Sequence, residues 1–150
     1  MTQAARWDDF FKEAPPLPPL DEALVEDYIR LGRPVDDLPY TPEFDDLLKQ
    51  AKARGDKRDH RQIFQRLINL RKAARLPRSL IRSTPVTGIT DDETQILLQL
   101  VEGTLRGAIG SRDQLPYSME FDAIASSFNK QTGRQFDKHI VWRLMARIAK

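Results

Sequence analysis

Leu38-Pro39-Tyr40-Thr41-Pro42-Glu43-Phe44-Asp45 returns later in the chain as Leu115-Pro116-Tyr117-Ser118-Met119-Glu120-Phe121-Asp122. Six of the eight positions are identical and a seventh exchanges Thr for Ser. The correspondence runs on: Leu47, Leu48 and Ala51 fall opposite Ile124, Ala125 and Phe128. With one residue inserted in the later copy, Gly55 meets Gly133, Asp59 meets Asp137, Ile63 meets Val141, Phe64 meets Trp142, Leu67 meets Met145 and Leu70 meets Ile148. Self-similarity over this span predicts one module used twice.

Each copy reads as a helical hairpin. Thr41 or Ser118 supplies a hydroxyl cap, followed by Glu43 or Glu120 in the first turn, and in the first copy Pro42 occupies the opening helical position. The Pro-Tyr pair before each cap is expected to staple its ring onto the helix that follows, a structural role. Phe44, Leu47, Leu48 and Ala51 form a helical stripe that Gly55 ends. Asp59 and Gln62 have capping-box spacing for a second helix with Ile63, Phe64, Leu67, Ile68 and Leu70 on its apolar side. Neither hairpin covers its own stripe, so the two are expected to face each other or the helices between them. The fold class expected is all-α, a tandem duplication of the hairpin with a long intervening helix.

Outward from the two copies, three regions follow. Residues 1–37 form an acidic N-terminal arm. Trp7, Phe10 and Phe11 suggest a short amphipathic turn, Ala14 to Leu20 a stiff polyproline spacer, and Leu20, Leu24, Tyr28 and Leu31 a helix stopped by Gly32 and Pro34. Residues 38–83 hold the first module and a basic tail. Residues 84–150 hold a linker, a long helix and the second module. Thr90 and Glu93 start the long helix, and its stripe of Ile96, Leu97, Leu100, Val101, Leu105 and Ile109 predicts good burial.

The net charge of +2 over 150 residues conceals a strong polarity. Residues 1–48 carry 4 Lys or Arg against 12 Asp or Glu, whereas residues 49–83 carry 12 against 2, and the remainder balances at 8 against 8. Such asymmetry points to nucleic acid, to an acidic partner or to internal pairing. With no cysteine, disulfides, thiolate catalysis and cysteine-zinc sites are excluded, and two histidines do not make a metal site. No apolar run reaches the roughly 20 residues of a membrane span, and Arg6, Asp8 and Asp9 break the apolar start a signal peptide needs, so a cytoplasmic location is expected. The nucleophile, phosphate-loop, dinucleotide and zinc-protease motifs are all missing, which favours a non-enzyme without cofactor or metal. His60 and His139 are expected to serve as surface or capping residues.

The second helix of the first module carries the functional expectation. Placed at 100° intervals, Arg61, Gln62, Gln65, Arg66, Asn69 and Lys72 turn away from the apolar side. Arg grips phosphate or guanine, and Gln and Asn bond adenine edges, so this face suits duplex DNA. Lys57, Arg58, Arg71, Arg75, Arg78 and Arg82 flank it as backbone contacts, and in the second copy Arg143, Arg147 and Lys150 share one side, enough for two half-sites. The plain alternative is a solvated polar face. A rival reading makes the chain a protein-interaction or self-associating module whose Ile140, Trp142 and Leu144 flank meets a partner, with the acidic arm reaching a neighbour's basic block. In a third reading the arm folds back over residues 49–83 and masks them.

Overall fold

The computed structural model describes residues 15–77, 86, 88–107 and 111–148. Among them the secondary structure is entirely helical: α1 (Pro19–Leu31), α2 (Pro42–Ala53), α3 (His60–Lys72), α4 (Asp91–Gly107), α5 (Met119–Thr132) and α6 (Lys138–Ile148). Short 3₁₀ turns at Val35–Asp37 and Arg112–Gln114 precede α2 and α5. Trp7, Phe10, Phe11, Ala14, Arg78, Arg82, Ile109 and Lys150 lie outside the described residues.

The helix boundaries follow the local chemistry of the sequence. Thr41 Oγ1 accepts the Phe44 amide and Ser118 Oγ accepts the Phe121 amide, and each hydroxyl donates to the carbonyl three residues back, Leu38 or Leu115. Asp59 and Gln62 close a reciprocal capping box on α3, and Thr90 and Glu93 do the same on α4. Gly133 ends α5 at φ +75°, a left-handed conformation open to glycine without a Cβ penalty. The spacer is shorter than the sequence suggests. Helix α1 already begins at Pro19, where proline's fixed φ suits the first helical position, and Pro18 before it is extended.

One core joins all of this. Leu24 and Tyr28 of α1, Val35 of the first 3₁₀ turn, Phe44 and Leu47 of α2, Phe64 and Leu67 of α3, Phe121 and Phe128 of α5 and Trp142 and Met145 of α6 belong to a single buried cluster. Two expectations about burial are corrected. Leu20 is exposed, because α1 packs on α2 and the core through the side that carries Leu24, Asp27, Tyr28 and Leu31. Of the apolar stripe of α4 only Leu97 and Val101 are buried, and Ile96, Leu100 and Leu105 are half-buried, since the helix lies against α5 and α6 with its other sides open.

The repeated tyrosines do something the sequence reading missed. Their rings do not staple their own helices; they cross over. Tyr40 stacks on Tyr117 at 4.4 Å between centroids and lies 5.3 Å from Phe121, while Tyr117 lies 5.9 Å from Phe44. The Tyr40 amide donates to the Tyr117 hydroxyl at 2.6 Å, and the Tyr117 amide donates to the Tyr40 hydroxyl at 2.5 Å. Both residues sit at positive φ, 66° and 65°. That conformation costs roughly 1–2 kcal/mol per non-glycine residue, and the paired bonds and stacked rings offset it. Burial raises both phenol pKa values above their usual 10.

Around this centre the hairpins exchange further bonds. Trp142 Nε1 donates to the Asp36 carbonyl at 2.7 Å, and the Gln65 amide donates to the Asp113 carbonyl, so each second helix holds the 3₁₀ turn before the other hairpin. His139 Nδ1 is 2.9 Å from the Pro39 carbonyl. His60 stacks on Tyr117 and bonds Asp45 at 2.8 Å; Lys138 sits over Tyr40 and bonds Asp122 at 2.9 Å. Phe64 meets Trp142 edge to face at 5.8 Å.

Tyr117→Phe leaves the Tyr40 amide without its acceptor and is expected to cost about 1–3 kcal/mol in urea denaturation. Tyr40→Phe should match it, and a double variant costing less than the sum of the two would register their coupling. A cost near zero for either would mean the paired bonds contribute nothing. The Arg134 guanidinium, with help from the Thr90 amide, holds Glu93 down to about 2 from its usual 4.5. The resulting stabilisation is complete above pH 4.5 and disappears as pH falls towards 2, so Glu93→Gln should flatten that part of the acid-unfolding curve. An unchanged curve would show the pair to be inert.

Candidate nucleic-acid interface

Helix α3 is built to present one polar side. Its apolar residues Ile63, Phe64, Leu67, Ile68 and Leu70 are buried, which turns Arg61, Gln62, Gln65, Arg66 and Asn69 outward. These five, with Arg58 before the helix and Gln114 from the second 3₁₀ turn, line an open groove of about 560 Å³. Every lining side chain ends in a guanidinium or a carboxamide. The tether of Gln65 to Asp113 brings Gln114 alongside α3 and makes the surface concave.

A carboxylate from the acidic arm is bonded to two of the groove's arginines. Asp21 in the first turn of α1 is buried at 5% exposure and accepts from Arg58 Nη1 at 2.7 Å through one oxygen. Through the other it accepts from Arg66 Nε at 3.0 Å and Nη2 at 2.8 Å. Asp56 takes the far side of the Arg58 guanidinium, at 2.9 Å to Nε and 2.7 Å to Nη2. Burial alone would raise the Asp21 pKa, but hydrogen bonds from Arg58 and Arg66 outweigh it and hold the carboxyl below its usual range. The same forks lower Asp56 and raise Arg58. A buried carboxylate between two guanidiniums is a geometry that favours its charged form.

Part of the wider basic block is paired in the same manner. Arg54 is held by Asp27, Arg71 by Asp36 at 3.3 Å and, at longer range, Lys72 by Asp113 at 3.9 Å. Lys57 and Arg61 are exposed, with no ion-pair partner among the described residues, and Arg75 is half-buried past the end of α3. Lys57, Lys72 and Arg75 do not line the groove. On α6, Arg143 is drawn to the buried Asp37 at 3.1 Å and Arg147 is exposed, so these two stand apart from the α3 groove.

Asp21 and Gln114 went unnoticed in the sequence. An acid in the first turn of α1 looks like an ordinary complement to the helix dipole, and Gln114 carries no mark beyond preceding the repeated octet. The flank of Ile140, Trp142 and Leu144 requires correction. Trp142 and Leu144 are fully buried and Ile140 is half-buried against the core: Trp142 meets Phe64, Phe121 and the Asp36 carbonyl, and α4 lies against α6. They offer no exposed partner surface.

Among the described residues no helix is long and apolar enough to cross a membrane, and no group of three or more His, Cys, Asp or Glu is placed to hold a metal ion. Comparison with family models, with curated proteins and with solved structures finds no match to this chain.

Because Trp142 and Leu144 are interior, Trp142→Ala is expected to cost about 3–5 kcal/mol and Leu144→Ala about 2–5 kcal/mol of folding stability. Urea denaturation checks both. A loss of association with stability intact would instead return these residues to a surface role.

Proposed function

We propose that this chain is a non-enzymatic nucleic-acid-binding protein built on a duplicated helical hairpin, and that the α3 groove is its binding surface. The observation that carries the binding role is the groove's lining: three guanidiniums and four carboxamides converge on one concavity. Guanidiniums donate to phosphate and to guanine, and carboxamides both donate to and accept from base edges. A merely solvated helix side has no reason to acquire a second wall of the same chemistry, supplied by Gln114 from another segment.

Support for duplication comes from bonds that recur in pairs: amide to hydroxyl between the tyrosines, Trp142 and Gln65 to the two 3₁₀ turns, and His60 and Lys138 each joining an aspartate to a tyrosine ring. The interaction-module reading has less to stand on. Its apolar flank is interior, and Asp21, Asp27 and Asp36 of the acidic arm are bonded to the chain's own Arg58, Arg66, Arg54 and Arg71. These pairs give the masking reading a concrete form, but Leu24, Tyr28 and Val35 are core residues, so removing residues 1–37 would dismantle the fold rather than uncover the groove.

The test is fluorescence anisotropy of labelled oligonucleotides with the whole chain. Combining Arg61→Ala, Asn69→Ala and Gln114→Ala, all at exposed positions lining the groove, should weaken binding by about tenfold or more while moving stability by less than about 0.5 kcal/mol per site. Unaltered binding by this variant would remove the groove as the site.

A further inference from the structure

We infer that Asp21 sets what the groove accepts: by pinning Arg58 and Arg66 and cancelling one of their two charges, it makes the groove a reader of unpaired, adenine-rich strands rather than a clamp for duplex phosphates. This rests on the nucleic-acid reading of the α3 groove and adds to it a ligand class and a residue that determines that class.

Three observations support the inference. The first is charge. Arg58, Arg61 and Arg66 bring three positive charges to the groove, and Asp21 and Asp56, bonded directly to Arg58 and Arg66, return two negative ones. One net charge is poor provision for a run of phosphates, because affinity for a duplex backbone grows with each phosphate neutralised.

The second is shape. A helix that reads duplex DNA projects into the major groove. Here the polar side of α3 shares an open concavity with Gln114, and the helix packs against α2 and both 3₁₀ turns. A convex duplex finds no projecting helix to admit, whereas a flexible strand can lay splayed bases into such a groove. The sequence-based expectation of duplex DNA is revised on this ground.

The third is hydrogen-bonding chemistry. Asn69 and Gln114 present carboxamides, and a carboxamide pairs with the N6 and N7 edge of adenine. No aromatic ring lines the groove, so stacking falls to guanidinium planes. Guanidiniums serve that purpose only when held in one orientation. Arg58 is held on both sides by Asp21 and Asp56, and Arg66 by a two-nitrogen contact to Asp21. Of five donors on each guanidinium, those not turned to carboxylate remain for the strand. Asp21 is thus a positioning residue, acting through the two arginines.

The experiment compares labelled oligo-dA, oligo-dT and oligo-dC strands and an oligo-dA·dT duplex, by anisotropy, across salt from about 50 to 200 mM. Wild type should bind oligo-dA about tenfold more tightly than the duplex or oligo-dC, with a shallow salt dependence near one unit of log K per unit of log salt. Asp21→Asn keeps shape but removes one negative charge. It should steepen the salt slope by about one unit and reduce the oligo-dA preference to about threefold or less. Arg66→Lys, which preserves charge and loses the fork, should reduce the preference without steepening the slope, and it stands in if Asp21→Asn fails to fold by circular dichroism. Wild type binding duplex as tightly as oligo-dA would overturn the inference and leave the groove reading intact. So would an Asp21→Asn variant with wild-type slope and preference. If wild type binds none of the four probes, the nucleic-acid reading fails and this inference falls with it.

Discussion

Everything in this fold is arranged about two peptide amides that find their acceptors on each other's side chains. Tyr40 and Tyr117 each donate a backbone N–H to the other's hydroxyl, with the rings stacked between them. A tyrosine at positive φ is a poor local choice, and neither residue would hold that conformation in an isolated hairpin. Each depends on the other being present. The strain is local, the compensation is long-range, and the two hairpins are locked to one geometry as a result.

From that lock the other cross-connections follow in sequence. Once the octets lie face to face, Phe121 and Phe44 come against the opposite tyrosines, and α3 and α6 reach the 3₁₀ turns that precede the opposite hairpins. Trp142 fills the centre with its indole nitrogen satisfied by the Asp36 carbonyl, so a large ring is buried without leaving a polar atom unpaired. The same contact on the α3 side, Gln65 to Asp113, positions Gln114. Core packing and groove shape therefore share one cause: the wall of the proposed site is a by-product of how the hairpins hold one another.

The electrostatics are organised by the arm. Helix α1 contributes Leu24 and Tyr28 to the core and, from the same helix, Asp21 and Asp27 to the arginines of the next segment. Packing fixes where those carboxylates stand, and their hydrogen bonds then fix the guanidiniums. A block that counts as uniformly basic along the sequence is in space divided between arginines forked to carboxylates and exposed bases such as Lys57 and Arg61. Binding chemistry in such a surface depends on donor geometry more than on net charge.

The all-helical class, the capped starts at Thr41, Ser118, Asp59 and Thr90, and the stops at Gly55 and Gly133 were legible in the sequence, because each depends on residues within a turn of one another. So was the outward side of α3, since helical periodicity alone separates Arg61, Gln62, Gln65, Arg66 and Asn69 from the buried stripe. What lay across the chain was not legible. Periodicity showed that Leu144 and Ile140 needed cover and left a partner surface and the long helix as the two candidates, without deciding for α4, and it placed Leu20 on a stripe that α2 does not reach. It gave the tyrosines to their own helices, whereas their partners are 77 residues away. Asp21 could not be singled out among the arm's acids, because its role comes from two arginines 37 and 45 residues distant. Local propensity and capping are written in neighbouring residues; burial, charge pairing and the shape of a groove exist only once distant segments meet.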